Sequence, residues 1–466
     1  MNPILTKQDY ENMIRSGRIA MIGMGVSHRE LAQKLKGQGA DLTVLDMKGD
    51  FPQSKDGLFV QSLGAKIRCG EDYLDHLSDF DLILRSPGVK WHLPQLQKAR
   101  ENHLPVTTEM ELFFALCPAK IYGVTGSDGK TTSTTLISEF LKAENKKVFL
   151  GGNIGYPLLS KLDEITKEDT VVAELSSFQL MGMEKSADVC LVTNLAPNHL
   201  DWHKDMEEYT RSKANLMMHQ DENGLTVLNE DNAGSMGYLP FVKGKLRTFS
   251  AVHPVENGSF VDEKGMICFT KDGSVTPLFP ASDIRLRGHF NLENMLGAIA
   301  CVYPAVSKKT LHQVAKDFGG VAHRNETVAV KDGVEWINDS IATSPTRTNA
   351  GLTLYDKKII LIAGGYDKKI PYAPLAGPVI QNVKHLILMG DTADAIEEAV
   401  KAHEDYKENS PVIHRAKTLE DAVQIAASLA VAGDIVKLSP ASASFGLYRN
   451  FEERGEHFRR LVQELV

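Results

Sequence analysis

The chain has 466 residues, of which 42% are hydrophobic and 24% are charged, and its formal net charge is −8. Such proportions are typical of soluble globular proteins, and the length predicts about two to four domains. The negative charge argues against broad binding to nucleic acid or to membrane surfaces.

The cysteines and the N-terminus bear on the cellular compartment. Cys69, Cys117, Cys190, Cys268 and Cys301 are scattered and show no metal-site spacing, which argues against a disulfide framework or a zinc site. The charged N-terminus lacks the apolar core of a signal peptide, and no run approaches the roughly 18 apolar residues of a membrane span. We therefore expect a cytoplasmic protein.

Short apolar runs alternate with helix-length amphipathic stretches along the chain. The runs that are typical of buried strands, in chain order, are RIAMIGMG, DLTVLD, DLILRSPG, KIYGVTG, TVVAELS, VCLVTN, KKIILIAGG, HLILMG and DIVKLSP. Strands that alternate with helices predict βαβ units, parallel sheets and an α/β fold. In such sheets ligands bind beyond the carboxyl ends of the strands, where the polar residues of this chain accumulate.

Two positions have the features of domain boundaries. A helical segment stops at Pro118 in LCPAKIYG, and Gly319 and Gly320 follow another helical segment in DFGGVAHRNE. We therefore predict three α/β domains, 1–117, 118–320 and 321–466. The stretch GSFVDEKGMICFTKDGSVTPL has Asp/Gly turns and predicts a small β insertion in the central domain.

The first candidate site is GMGVSH, which follows the strand RIAMI. It has two of the three glycines of a dinucleotide fingerprint, with His28 in place of the third. Asp46, at the end of DLTVLD, is placed to bind a ribose hydroxyl. The motif fits either a nucleotide site or a tight strand-to-helix turn, and the SPG at residues 86–88 favours the site because it closes another strand at the same edge.

A phosphate-binding loop is predicted at TGSDGKTT, between the strand KIYGV and a helical stretch. The usual pattern, G-x-x-x-x-G-K-[ST], would place its first glycine at position 124, but this is Val124 and the glycine is Gly126. Glycines let backbone N–H groups turn toward phosphate oxygens, Lys130 can pair with the outer phosphates, and Thr131 can hold Mg²⁺.

Five further polar residues of the central domain are ambiguous from the sequence. Glu174, after the run TVVA, suits Mg²⁺ binding or water orientation, or is a surface acid at a strand end. On spacing alone, His199 is a surface histidine and Lys213 a lysine on a solvated helix face. Asn291 and Asn294 share one face of a helix and suit adenine or ribose, or belong to an ordinary helix start.

Polar residues also follow the predicted strands of the third domain. They occur in HRNE, WINDSIATSP, GGYDKK and LSPASASFGLYRNFEERG. Each motif is uninformative alone. Together they supply the cations, hydroxyls and carboxylate that a small acidic substrate and a nucleotide rim would need.

The combination of these motifs resembles the Mur ligases over nearly the whole chain. The stretches TGSDGKTT, GGNIG, ELSSFQL, TNLAPNHLDWH, YTRSKANL, GHFNLENML, HRNE, WINDSIAT and LSPASASFG occur in the order of that family. Its members are ATP-dependent amide ligases of peptidoglycan precursor synthesis. The short loop is the family's usual form, with Asp128 where asparagine is commoner. GMGVSH, SPGV and the C-terminal motif look most like the members that add D-glutamate.

The resemblance implies an N-terminal Rossmann-like domain for a UDP moiety, a central P-loop ATPase-like parallel sheet and a C-terminal Rossmann-like domain for the amino acid. It implies that ATP phosphorylates the carboxylate of UDP-N-acetylmuramoyl-L-alanine and that D-glutamate attacks the acyl phosphate. We expect these small molecules to be the only partners of a monomer.

The resemblance also assigns residues to sites. For ATP they are Gly126, Ser127, Asp128, Gly129, Lys130, Thr131, Thr132, Asn294, Arg324 and Asp339. For two Mg²⁺ ions they are Thr131, Glu174, His199 and Lys213, the last as a carbamate formed from CO₂. The catalytic set is Lys130, Glu174, His199 and Lys213. For the UDP-sugar they are Ser27, Asp46, Ser86, Gly88 and Asn153. For D-glutamate they are Thr343, Lys368, Ser444 and Phe451.

Three departures from the family and three alternatives remain. GGYDKK differs from several relatives around its acid, which favours Lys368 over Asp367 as the site residue. Ile341 stands where many relatives carry lysine, so one cation is missing or comes from elsewhere, and His28 replaces a glycine of the first turn. The alternatives are another ligase of the superfamily, such as a different Mur ligase or folylpolyglutamate synthetase, a regulatory P-loop ATPase, and a non-catalytic nucleotide-binding scaffold. The absence of a DNPR-like motif disfavours the diaminopimelate- and lysine-adding members.

Overall fold

The computed structural model describes residues 6–465 except 156, 198, 200, 201, 287 and 369, and it leaves the side chains of residues 26 and 27 undescribed. The chain divides into two compact units, Met1–Asp317 and Phe318–Val466. The first unit contains two sheets and the second contains one. The bounds of the three predicted domains stay predictions.

The N-terminal sheet has five parallel strands in the order β3-β2-β1-β4-β5. The strands are β1 (Arg18–Ile22), β2 (Asp41–Asp46), β3 (Lys66–Cys69), β4 (Leu82–Arg85) and β5 (Val106–Thr107). The helices are α1 (Lys7–Ser16), α2 (Val26–Gly37), α3 (Lys55–Ser62), α4 (Pro94–Glu101) and α5 (Glu109–Leu116). This is a Rossmann-like order whose direction reverses between β1 and β4, so a ligand crevice is expected beyond the ends of these two strands.

The central sheet has nine strands in the order β14-β13-β12-β11-β10-β9-β6-β8-β7. The strands are β6 (Lys120–Thr125), β7 (Val148–Gly152), β8 (Thr170–Glu174), β9 (Val189–Val192), β10 (Leu225–Asn229), β11 (Lys245–Ser250), β12 (Gly258–Val261), β13 (Met266–Lys271) and β14 (Ser274–Pro280). The helices are α6 (Lys130–Ala143), α7 (Ser177–Leu180), α8 (Met206–Ala214), α9 (Ala233–Met236), α10 (His289–Val302) and α11 (Lys308–Asp317).

The order of the central strands positions the site. Strand β6 lies between β8 and β9 and is parallel to both, so the loop after β6 is next to the ends of its two neighbours. Strands β12, β13 and β14 are antiparallel and extend one edge of the sheet. The predicted β insertion is therefore confirmed.

The C-terminal sheet has six strands in the order β15-β16-β20-β17-β18-β19, and only its edge strand β15 is antiparallel to its neighbour. The strands are β15 (Glu326–Lys331), β16 (Val334–Asn338), β17 (Ile359–Gly364), β18 (Val383–Met389), β19 (Val412–Arg415) and β20 (Ile435–Leu438). The helices are α12 (Pro345–Leu352), α13 (Ala373–Asn382), α14 (Ala393–Lys401), α15 (Leu419–Leu429) and α16 (Phe451–Glu464).

The apolar runs form these strands because helices cover both faces of a parallel sheet. All residues of β8 and β17 are buried, and neither strand shows the alternation of a sheet with one face in water. The predicted α/β fold is thus confirmed. Among the described residues, no helix combines the length and the apolarity needed to cross a bilayer.

Candidate active site

The loop between β6 and α6 is a tight turn that requires glycine at two positions. Gly126 and Gly129 have φ angles of 143° and 76°. A Cβ atom at Gly126 would lie 1.9 Å from Thr193 Oγ1, and one at Gly129 would lie 2.2 Å from Asn294 Oδ1. Helix α6 starts directly after Gly129 without a side-chain cap. Such an N-terminus, preceded by a glycine turn, is a geometry that binds phosphate.

The end of β9 holds this loop in place. Asn194 accepts a hydrogen bond from the backbone N–H of Ser127 at its carbonyl oxygen (3.0 Å) and one from the N–H of Asp128 at Oδ1 (2.9 Å). Thr193 Oγ1 donates to the carbonyl oxygen of Asp128 at 2.6 Å. These bonds fix the loop without using its first helical N–H groups.

The residues that begin α6 lie on and under the loop. The Nζ atom of Lys130 turns back and donates to the carbonyl oxygens of Gly126 (3.1 Å) and Ser127 (2.8 Å). Thr131 is buried and Thr132 is half-buried. The loop residues predicted for ATP therefore converge on one turn.

Glu174, the last residue of β8, is buried rather than a surface acid, with 2% of its area exposed. Its Oε1 atom accepts a hydrogen bond from Asn153 Nδ2 at 2.9 Å. Its Oε2 atom is buried and has no hydrogen-bond partner among the described residues. A buried carboxylate oxygen without a donor fits a metal ligand, because carboxylate oxygens are preferred by Mg²⁺.

Lys213 is also buried, whereas its spacing on α8 alone had predicted a lysine on a solvated helix face. Only 2% of its area is exposed, and its Nζ atom donates to the carbonyl oxygen of Gly126 at 2.8 Å and contacts Thr125 Oγ1 at 3.4 Å. Burial, followed by the nearby charge of Lys130, lowers the pKa of the Lys213 ammonium well below its ordinary value. The structure thus brings two lysines to one loop carbonyl.

His199 lies in the segment between β9 and α8. Its φ angle is 55°, and its ring meets the edge of Phe178 at a centroid distance of 4.9 Å. The buried His203, which sequence reasoning missed, pairs its Nε2 atom with Ser177 Oγ at 2.9 Å. Only the four-residue spacing of the two histidines could have drawn attention to it.

The described residues contain no group of three histidine, cysteine, aspartate or glutamate side chains arranged to hold a metal ion. Glu174 ends the strand next to the loop, and His199 lies in the segment that follows β9. A complete metal site would therefore need further oxygen ligands from a bound nucleotide, from water or from a modified lysine.

Asn294 lies under the phosphate loop. Its Oδ1 atom accepts a hydrogen bond from Ser133 Oγ at 3.1 Å, and its Nδ2 atom is buried without a partner among the described residues. Asn291, one turn earlier on α10, is also buried. The shared face that the sequence predicted for the two asparagines therefore points into the protein, and Asn294 contacts the loop at Gly129.

The residues predicted for the UDP-sugar divide between two places. Gly23 directly follows β1 with a φ angle of 75°, and a Cβ atom on it would lie in van der Waals contact with Ser86, 3.5 Å from Ser86 Cβ. Gly88 follows in the same loop and is exposed, and Asp46 ends the adjacent β2. Ser27 lies in the first turn of α2, and its side chain is outside the described part of the chain. Asn153 lies apart from this crevice, bonded to Glu174.

His28 takes the place of a glycine by turning inward. Its ring is buried, and its Nδ1 atom pairs with the carbonyl oxygen of Gly23 at 2.8 Å. Burial lowers the pKa of His28 to about 4, so the ring is neutral at physiological pH. Because a carbonyl only accepts, Nδ1 carries the proton, and the histidine closes the turn between β1 and α2.

In the second unit, Asp339 follows β16 and is buried. Its Oδ2 atom accepts a hydrogen bond from Ser439 Oγ at 2.8 Å and lies 3.4 Å from Lys437 Nζ, while Oδ1 accepts from the N–H of Asn325 at 3.2 Å. Lys437, which sequence reasoning missed, is wholly buried. A cation thus lies close to the segment in which Ile341 replaces the lysine of relatives.

The residues predicted for D-glutamate follow adjacent strands of the same sheet. Ser444 is buried, Lys368 is exposed, and Thr343 and Phe451 are half-buried. Arg324 is half-buried in the turn before β15. These placements agree with an edge that binds ligands, but no described contact joins all the members.

Arg454 is a further residue that the sequence did not indicate. It is 1% exposed and donates to the carbonyl oxygens of Ser340, Ser442 and Ala443. It thereby ties the segment after β16 to the segment after β20. Its acidic neighbours in FEERGEHF are typical of a solvated helix, so no sequence signal pointed to it.

Comparison with known proteins identifies the class. Residues 17–108 match the family described as Mur ligase MurD-like, N-terminal domain, residues 124–302 match the Mur ligase middle domain, and residues 323–442 match the Mur ligase, glutamate ligase domain. The chain belongs to the Mur ligase family, which uses ATP.

Individual relatives show which members of the family this chain resembles in sequence and in fold. The chain is 45% identical over 460 residues to a UDP-N-acetylmuramoylalanine–D-glutamate ligase of Acetivibrio thermocellus, covering 98% of each chain. It is 44% identical to the protein of the same name from Clostridium tetani, covering 98% of this chain and 99% of that one. A solved structure of UDP-N-acetylmuramate-alanine ligase MurC from Thermotoga maritima has a TM-score of 0.54 at 17% identity, covering 96% and 99% of the two chains, which shows a shared fold.

Proposed function

We propose that this protein joins D-glutamate to UDP-N-acetylmuramoyl-L-alanine and converts ATP to ADP and phosphate. The proposal is carried by one observation: Lys130, Lys213 and the strand that ends at Glu174 converge on the loop at Gly126. In addition, 98% of the chain aligns, at 45% identity, with a relative named for this reaction. A scaffold that only bound nucleotide would have no need for a buried second lysine and a buried carboxylate at that loop.

The loop residues bind and orient the triphosphate in this proposal. The N–H groups around Gly129 and the Nζ atom of Lys130 bind its outer oxygens, and Lys130 offsets their charge as the γ-phosphoryl group moves to the substrate carboxylate. Bound Mg²⁺ would further neutralise these oxygens, with Thr131, Glu174 and His199 as its protein ligands. The amine of D-glutamate then attacks the acyl phosphate, forms the amide bond and expels phosphate.

We further propose that Lys213 acts as a carbamate. Its lowered pKa favours the neutral amine, whose lone pair can attack CO₂. The nitrogen bonds to the carbon of CO₂ and releases one proton to solvent, so the product is an anionic carbamate. This anion attracts the nearby Lys130 and supplies the additional oxygen ligands that a metal would need. The burial of Lys213 next to Lys130 supports this assignment.

The remaining assignments are proposals of the same kind. The crevice at Asp46, Ser86 and Gly88 would hold the UDP moiety, with Ser27 in the adjoining turn, and Asn153 would meet the substrate near Glu174. Arg324, Asp339 and Asn294 would contact ATP. The amino-acid substrate would be held by Thr343, Lys368, Ser444 and Phe451. We also propose a cytoplasmic monomer, since five free thiols suit a reducing compartment.

The test is phosphate release from ATP and Mg²⁺ in the presence of UDP-N-acetylmuramoyl-L-alanine. D-glutamate, L-glutamate, L-lysine and no amino acid are compared, with Lys130→Ala as the inactive control. Release that needs both the UDP-sugar and D-glutamate would support the proposal. Release without the UDP-sugar would indicate a regulatory ATPase, and dependence on another amino acid would change the proposed member of the family.

A further inference from the structure

Arg85, the last residue of β4, has a completely buried side chain. Its Nη1 atom donates to the carbonyl oxygen of Val89 and lies 3.3 Å from that of Pro87 and 3.4 Å from that of Ser86. The loop from Ser86 to Val89 therefore wraps around one side of the guanidinium. This is the loop that carries Ser86 and Gly88 of the proposed UDP-sugar crevice.

The other side of the same guanidinium donates hydrogen bonds to the segment that connects β8 to β9 in the central sheet. The Nη2 atom of Arg85 donates to the carbonyl oxygens of Phe178 and Met181, both at 3.3 Å. These two carbonyls belong to helix α7 and to the residue that follows it. One planar side chain thus joins a loop of the N-terminal sheet to a helix that is 93 residues further along the chain.

Two more contacts link residues that follow β4 to the central part of the chain. A Cβ atom on Gly182 would lie 2.4 Å from the ring of Trp91, so the ring packs directly on the backbone there. The Nε2 atom of His92 lies 2.7 Å from Oε1 of Glu208 on α8. We call residues 85–92, 178–182 and 208 the interdomain joint.

The joint also contacts segments that carry proposed catalytic residues. The ring of Phe178 packs on His199 at a centroid distance of 4.9 Å. Glu208 lies on the same helix as Lys213. A shift of the joint would therefore move the UDP-sugar loop relative to the residues around the phosphate loop.

We propose that Arg85 is a positioning residue that sets the distance between the UDP-sugar loop and the catalytic segment around His199. The inference rests on the proposed function. Arginine suits this role because its two Nη groups diverge in a fixed plane and bond to both sides at once, whereas lysine offers all its hydrogens from one atom. A misplacement of about 1 Å in a reacting group can lower the rate by about 100-fold.

The experiment compares Arg85→Met with Arg247→Met in the full chain. Arg247 is a matched control, because its Nη1 atom also donates to two carbonyl oxygens, those of Ala300 and Tyr303, both at 2.8 Å, but within the central domain alone. We expect Arg85→Met to lower kcat/KM for the UDP-sugar by about 100-fold and to leave ADP affinity unchanged. Arg247→Met should leave both near the wild-type values. Equal losses in the two variants, or none in Arg85→Met, would overturn the proposal.

Two further variants keep the test decisive. Arg85→Lys should recover only part of kcat/KM, and full recovery would overturn the role of the two-sided guanidinium. If Arg85→Met does not fold, Gly182→Ala disturbs the joint from the Trp91 side with Arg85 intact. It should lower kcat/KM for the UDP-sugar without changing ADP affinity, and wild-type kinetics would contradict the proposal.

Amide hydrogen exchange separates this inference from the proposed function. In Arg85→Met, the segments 86–91 and 178–183 should exchange faster together, which is measurable even in a chain that shows no ligase activity. Faster exchange in the first segment alone would overturn the joint. Absence of UDP-sugar-dependent phosphate release from the wild type would instead refute the proposed function.

Discussion

Gly129→Ala tests whether the phosphate loop binds nucleotide through its tight geometry. An alanine there adopts a φ angle near 76°, which strains an L-residue by about 1–2 kcal/mol. Its Cβ atom also meets Asn294 Oδ1 at 2.2 Å, so the amide must move and loses its bond from Ser133, which is worth about 1 kcal/mol. We expect the change to destabilise the loop by about 2–3 kcal/mol in all.

A matched glycine isolates the steric part of this effect. Gly273, in the turn between β13 and β14, has a φ angle of 75°, and a Cβ atom there meets nothing within 4 Å. Gly273→Ala should therefore show the strain alone. Adding Asn294→Ala to Gly129→Ala should remove the collision and restore part of the stability.

The assays are calorimetric unfolding and titration with ADP. Gly129→Ala should weaken ADP binding by about tenfold or more, which corresponds to about 1.4 kcal/mol, while Gly273→Ala should not change it. The reasoning would be refuted if Gly129→Ala bound ADP as the wild type does. It would also be refuted if the two alanine variants lost the same stability, since the collision would then contribute nothing.

Three further predictions concern buried charged groups. Lys213→Ala should be nearly inactive and partly rescued by small carboxylates, measured by phosphate release, because the carbamate supplies an anion at the loop. Burial raises the pKa values of Glu109 and Glu111 from the ordinary 4.5 to about 7. Each protonated carboxyl therefore contributes about 3 kcal/mol to the free energy of unfolding, and this contribution is fully present below pH 4.5 and lost as the pH rises through 7. Glu109→Gln and Glu111→Gln should each flatten the fall of Tm between pH 5 and 8. Lys437→Met leaves the buried carboxylate of Asp339 without its cation and should lower the free energy of unfolding by about 3 kcal/mol. Adding Asp339→Asn should restore most of that stability, as measured by calorimetry.

Each of these predictions has a contradicting outcome. Full activity of Lys213→Ala without any additive would remove Lys213 from the site. The exposed control Glu222→Gln should keep the wild-type dependence of Tm on pH. If Glu109→Gln and Glu111→Gln also keep it, the two acids do not titrate in the core. If the double variant at positions 437 and 339 is no more stable than Lys437→Met, the two charges do not form a coupled pair.

Several features follow from local sequence alone. The strand, the short glycine turn, Lys130 and the helix of the phosphate loop are consecutive, so their order in the chain already specifies their order in space. The buried parallel strands were predictable as well, because a sheet covered on both faces demands continuous apolar runs such as those of β8 and β17. The order of motifs also indicated the family.

Only the tertiary structure decided which charged residues are buried. Lys213 is one of several polar residues on α8, and nothing in its spacing shows that it meets a carbonyl 87 residues earlier in the chain. From the sequence, Glu174 was either a site residue or a surface acid, and the pairing of its strand β8 between β6 and β7 showed that it is buried. Arg85, Lys437 and Arg454 gave no sequence signal, because the carbonyls and carboxylates that bind them come from distant segments. Burial of a charge depends on which elements pack together, and local periodicity does not contain that information.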